Sequence, residues 1–230
     1  MAGLYESKPF PPGGRTGWDW STDEQTGQTF PVEVAWEPAF GAKRLPGHYK
    51  LGVAYDNSRF PDQYFDAAGR PFLTSGAAPR LHNGRTSVWV TADQMLLRHG
   101  QGPDDGLIVL GAYAHNSPNI SLFEHFAWVG VLDRGFWRAR PNDQFGLAVT
   151  YYKVSDRLTD RQQLQQSLGM PFTGGVYGVQ SDAVVLEANY NIVVYRGIEV
   201  QPVVEYFINP GGQRVVPDAL VFGLKTHVEF

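Results

Sequence analysis

From Leu220 to Phe230 the chain repeats with a period of two. Leu220, Phe222, Leu224, Thr226, Val228 and Phe230 alternate with Val221, Gly223, Lys225, His227 and Glu229. Side chains alternate across a strand but recur every three to four residues on a helix, so this segment reads as a strand with one greasy and one polar face. Residues 198–208 repeat the pattern, with Glu199, Gln201 and Glu205 on the polar side. Residues 49–56, 144–152 and 184–192 follow it too; Lys50 and Asp56 share one face of the first, and Glu187 lies on the polar face of the last. Less regular strand-like runs fall near 32–40, 85–97, 106–115 and 121–132, which brings the expected count to about nine strands. The one helical candidate is 156–168. Residues 1–30, rich in Gly, Pro, Thr and Asp, read as a loop or ragged lead-in, leaving 31–230 as one all-β unit.

The connections differ in length. Residues 195–197 form a tight turn and 133–142 a modest one, whereas 58–83, 155–180 and 209–216 read as long loops. Short turns at one end and long loops at the other are the habit of outer-membrane barrels. A soluble β-sandwich would show the same alternation, with its apolar faces buried in a core, so periodicity alone leaves both readings open.

Composition removes other classes. A net charge of −4 with charges scattered singly offers no basic stripe, which excludes nucleic acid as a partner. The absence of cysteine excludes disulfides, thiolate metal sites and cysteine nucleophiles. The longest uncharged apolar stretch, 107–114, is far short of the roughly 20 residues of a membrane helix, but a tilted barrel strand needs only about 9 to 11. Residues 1–14 lack the basic start and apolar run of a signal peptide, so the chain as written is expected to carry no export address.

A chain of motifs resembles the carbohydrate-selective porins of the OprB family. PVEVAWEPAFG followed by LPGHYKLGVAYDNSRF is similar to the family's acidic strand, Pro-Gly turn and G-x-Y-x-x-G…Y-D strand. VWVTADQMLLR resembles its strand ending in Asp-Gln, and DRGFWRARPNDQFGLAV its Gly…Arg-Pro-x-Asp…Gly turn. GIEVQPVVEYFINPGG…DALVFGLKTHVEF resembles its closing hairpin and terminal strand, with Glu205 where the pattern often has Gln. The resemblance implies an antiparallel outer-membrane β-barrel, of which this chain is the C-terminal part: about nine strands forming a half barrel of a 16-stranded porin. It implies passive diffusion of carbohydrates in the bacterial outer membrane, with outer-membrane lipid and the assembly machinery as further partners. Phe230, a terminal aromatic on the apolar face, is the candidate assembly signal. The truncated chain is expected to be a fragment whose function belongs to the complete relative. The rival reading is a soluble β-sandwich that binds glycans on Trp89, Trp128 and Trp137.

In the porin reading the polar register faces the lumen. The pore-lining and sugar-contact candidates are Lys50, Asp56, Glu187, Glu199, Glu205, Lys225 and Glu229. Trp89 and Asp93 join them if Val88 and Val90 face lipid, although a Trp also suits the interfacial girdle. The six histidines show no H-E-x-x-H or paired metal spacing and read as single residues. Asp104-Asp105 reads as a loop tip rather than a calcium site, and Phe10-Pro-Pro-Gly-Gly as a flexible terminal loop. No nucleophile elbow, phosphate loop or dinucleotide fingerprint is present, so no enzyme, metal or cofactor is expected.

Overall fold

The computed structural model describes residues 1–7 and 27–229. The expectations for Phe230 and for the Phe10 segment lie outside the described residues. The chain forms one antiparallel sheet in which β1 (Tyr5–Ser7), β2 (Gly27–Trp36), β4 (Leu45–Asp66), β5 (Pro79–Arg98), β6 (Gly106–Asn116), β7 (Phe123–Arg134), β8 (Gln144–Val154), β9 (Asp182–Tyr195), β10 (Ile198–Ile208) and β11 (Ala219–Val228) follow one another in space as in sequence. The short β3 (Ala39–Phe40) pairs with β4 beside the turn after β2. Nine of these strands have ten or more residues, the number the periodicity predicts. The sheet does not close: β1 and β11 are its ends, and among the described residues they do not pair.

Three expectations need correction. Residues 58–83 are not a loop, because β4 and β5 continue past the other strands, pairing Arg59 with Asn83, Phe60 with His82 and Asp66 with Pro79 across two register shifts. This stretch is polar on both faces and contains Pro61, so it lacks the alternation that betrays a strand against lipid. The real connection is residues 67–78, with one helical turn, α1 (Phe72–Ser75). The lead-in is not wholly irregular either: Tyr5–Ser7 pairs with residues 27–29, and Gly3 N–H and the Met1 carbonyl bond to Pro31 and Glu33. As a result the outer edge of β2 is covered from residue 27 to residue 33, although a half barrel is expected to leave the edge of its first long strand open.

The loops gather at one end, where most of the buried polar side chains lie, including Ser58, Asp62, Asp66, Ser155, Gln162 and Gln213. α2 (Asp156–Ser167) starts where predicted, with the Ser155 hydroxyl accepting the Leu158 N–H at 3.2 Å and Asp156 in the first turn. It buries Leu158 and Gln162, one turn apart. Arg157 ties it to its neighbours, stacking over Phe65 of β4 at 4.4 Å and donating to Asn119 between β6 and β7.

Asp66 organises the β4–β5 tip beyond the membrane-length part of the sheet. Its carboxylate accepts the Arg70 and Ala68 N–H groups at 2.9 Å each and the Arg70 guanidinium at 3.2 Å. The Arg70 N–H first, then the Ser75 hydroxyl, hold it down at about 2. A folded-state value below the ordinary carboxylate value of about 3.9 stabilises the folded tip above that pH and is lost as pH falls through about 2. Protection of the Ala68 and Arg70 amides, taken relative to their intrinsic exchange rate at each pH, is therefore expected to hold down to about pH 4 and to fall between about pH 4 and 2. In Asp66→Ala, which removes the acceptor of both bonds, protection at these amides should be lost at neutral pH; unchanged protection in that variant would refute the assignment.

Candidate pore-lining face

Residues directly opposite each other in neighbouring strands share a face. Following the register from Glu33↔Gly52 and Ala35↔Lys50 through Gly52↔Trp89 and His48↔Asp93 puts Lys50, Asp56, Trp89 and Asp93 on one face. Continuing through Trp89↔Ala114, Ala112↔Trp128, Gly130↔Ala148, Ala148↔Glu187, Glu187↔Glu205 and Gln201↔Lys225 puts Glu187, Glu199, Glu205 and Lys225 on that same face. Glu229 lies just past β11, continues its alternation and donates its N–H to the Gly197 carbonyl at 2.8 Å.

The two flanks of this face are polar and its centre is not. Between them, on β6–β8, the small residues Ala112, Ala114, Gly130, Gly146 and Ala148 interleave with Leu110, Phe126, Trp128 and Leu132, so uncharged side chains make up the centre. On one flank the Trp89 indole lies across Gly52, where a Cβ would overlap the ring, and reaches β2 to donate to Glu33 Oε2 at 2.9 Å. Lys50 Nζ stands 3.9 Å from the other Glu33 oxygen. The motif G-x-Y-x-x-G thus has a physical basis. Gly47 leaves room for the Gln94 side chain, Tyr49 donates to Gln94 at 2.8 Å, and Gly52 makes the bed of the indole. On the other flank Asn189 donates to Glu187, Asn191 to Glu199 and Gln201 to Asn189, at 2.8 to 2.9 Å. Asn191, Glu199, Gln201, Lys225 and His227 line a cavity of about 340 Å³ there.

Two further candidates are bound into the frame. Asp56 is buried and receives Ser58 N–H at 2.9 Å and Ser7 Oγ at 3.1 Å, with Arg85 at 3.5 Å. Asp93 is bound to His48 Nδ1 at 2.7 Å. Conversely, the sequence reading did not name Glu33, Asn189, Asn191 and Gln201 as contact candidates, although each sits at an alternate polar position of its strand. The histidines are not all single: His115 and His125 face each other across β6 and β7. Trp128 lies on the polar face, but Trp137 lies in the β7–β8 turn, so the three tryptophans proposed as a soluble platform do not form one.

Other motif residues build the frame. In the turn at 135–143, Asp143 takes two bonds from Arg140 at 2.8 and 3.1 Å, one from Tyr190 at 2.9 Å and one from Val193 N–H at 3.0 Å. Burial opposes its charge, but the Arg140 guanidinium, the Val193 amide and the Tyr190 hydroxyl outweigh burial and hold it below the usual carboxylate range. In the Asn-Pro-Gly-Gly turn, Asn209, Gly211 and Gly212 have positive φ, and the Gly212 carbonyl accepts Ser181 N–H at 2.8 Å.

The opposite face is apolar and bare: Leu51 is 66% exposed, Val34 66%, Phe222 73% and Leu224 68%. Within the described residues no second layer covers it, and no helix is long and apolar enough to cross a membrane. An uncovered greasy face backed by a polar one is the architecture of an outer-membrane-type β-barrel, present here as an unclosed part, and it overturns the sandwich alternative. A family model described as "Carbohydrate-selective porin, OprB family" matches residues 1–230, and the chain belongs to that family. It is 29% identical over 238 residues to Porin B of Pseudomonas aeruginosa, covering 100% of this chain and 51% of the relative. It is 27% identical to the Putative porin QuiX of Acinetobacter baylyi, covering 93% of this chain and 47% of that protein. The high-pH structure of Pseudomonas putida OprB superposes with a TM-score of 0.89 at 28% identity, covering 100% of this chain and 55% of that one. The chain thus spans about half the length of the curated relatives it matches.

Proposed function

We propose that this chain supplies about half of the wall of a barrel through which carbohydrates diffuse passively across the bacterial outer membrane, with its polar face toward the water-filled lumen and its bare face toward lipid. The observation that carries this reading is an uncovered apolar face along nine consecutive long strands, backed by a face whose two flanks carry carboxylates, amides and an ammonium. Sugars present hydroxyls and C–H faces. Paired carboxylates and amides meet the first, and a flat-lying indole meets the second. Trp89, Glu33 and Lys50 form the best-defined contact cluster; Glu187, Glu199, Glu205, Lys225 and Glu229 line the other flank, and Asp56 and Asp93 hold the wall in shape. The named relatives are porins, and the role is that of a conduit, with no chemistry performed on the solute. Phe230 and the lipid-facing strands would engage the assembly machinery and the outer-membrane lipid.

The test uses a chimeric barrel in which this chain replaces the matching half of a full-length relative. One aromatic contact contributes about 1 kcal/mol, so Trp89→Ala is expected to weaken sugar association about fivefold in liposome-swelling competition while leaving small-ion conductance nearly unchanged. Equal loss for sugars and ions would indicate damage to the barrel, and no loss for either would remove Trp89 from the path.

A further inference from the structure

Three ligand-type side chains meet at the long-loop end of the apolar face. His115 is next to last in β6, His125 is third in β7, and the register sets them directly opposite each other with ring centroids 4.8 Å apart. In a regular strand Glu124 would point to the other face. The register shift between Phe123 and His125 is a β-bulge, and a bulge re-aims side chains; Glu124 Oε1 stands 3.2 Å from His125 Nε2. One ligand atom from each of the three lies within 4.8 Å of the others.

The surroundings orient the ligands. His125 Nδ1 is 2.8 Å from the Tyr113 hydroxyl, which leaves Nε2 on the Glu124 side. A metal-binding imidazole is commonly fixed this way, through a hydrogen bond at its other nitrogen. The second Glu124 oxygen accepts the Asp156 N–H at 3.4 Å. His115 Nδ1 is buried with no hydrogen-bond partner, a costly state for a polar atom that nothing meets. The neighbouring cation, Lys153 on β8, is held by Asp156 at 2.8 Å.

We propose that His115, His125 and Glu124 bind one divalent transition-metal ion, zinc by their ligand chemistry, as a staple across the β6–β7 hairpin. Two imidazoles and a carboxylate suit zinc, with water completing the shell. Tetrahedral bonds of about 2.0–2.1 Å bring ligand atoms to about 3.3 Å from one another, which small side-chain rotations achieve from the present spacing. Magnesium and calcium, which favour all-oxygen shells, would compete poorly. The site does not depend on the sugar path.

The experiment is zinc chloride titration, by calorimetry, of the tag-free, chelator-stripped chimeric barrel in detergent, with the unmodified relative as blank. One saturable site above the blank is expected, together with a rise in melting temperature and indifference to excess magnesium. His115→Gln and His125→Gln should abolish the site, and Glu124→Gln should weaken it by about tenfold or more. His82→Ala, in a separate histidine–aspartate pair, should leave it intact. Sugar permeation should be unchanged in all of these variants, which separates failure of this proposal from failure of the porin reading. No saturable zinc site in the parent, or an undiminished site in a folded His115→Gln or Glu124→Gln, would overturn the proposal.

Discussion

Reconstituted alone in a planar bilayer, the chain is expected to give no steady single-channel conductance and to self-associate. The reason lies at the two ends of the sheet, which are unequal. The β2 edge is partly occupied by residues 1–7, whereas no described strand pairs with the outer edge of β11. β11 has ten residues, so about five of them turn their N–H and C=O groups outward. Each group left unsatisfied in hydrocarbon costs several kcal/mol, and another chain is the nearest source of partners. Cross-linking should therefore run through β11, and cysteines introduced at Leu220 and Thr226 should couple between chains far more readily than cysteines placed on β2. Stable channels from the isolated chain would mean that β2 and β11 meet in lipid after all.

In the chimeric barrel, Leu224→Arg is expected to cost about 2 to 4 kcal/mol of assembly or stability, and Gly223→Arg much less. The two positions are adjacent at the middle of β11 and differ only in face. Leu224 opposes Pro202 on the bare side; Gly223 opposes Val203 on the polar side, where an added Cβ would meet only the Val203 Cβ, at 3.7 Å. Urea unfolding in lipid vesicles would measure the difference. Equal costs would show that both faces are buried in protein. Val203 itself is only 4% exposed, so the same asymmetry does not extend to charging it.

The long strands and their two faces were legible because a bare apolar face on one side and a polar one on the other impose a strict period of two, and Leu220–Phe230 shows it undiluted. Where both sides meet water the rule lapses, which is why residues 58–83 passed for a loop while forming the longest hairpin. Partners across strands were not legible at all. Nothing local links Trp89 to Glu33 or His115 to His125, because those meetings depend on the register. Glu124 was hidden further by the bulge that turns it. The family motifs were read correctly as a resemblance, yet most prove to be framework: Gly47, Gly52, Arg140, Asp143 and Asn209 shape turns and close approaches, while the flanking polar side chains sit between them.

The small residues spaced along the polar face of β6–β8 bear on how that face could change over time. Alanine and glycine have no rotamers to redistribute, so at Ala112, Ala114, Gly130, Gly146 and Ala148 the polar face is set by the backbone, and in the proposed barrel Leu110, Phe126, Trp128 and Leu132 between them carry the side chains that project from it. A single replacement there by a larger residue would narrow the bore by a whole side chain in one step, whereas changes among the flexible polar groups of the flanks would retune contacts without altering the clearance. In the proposed barrel, clearance at these small positions and polar contacts on the flanks can thus drift separately.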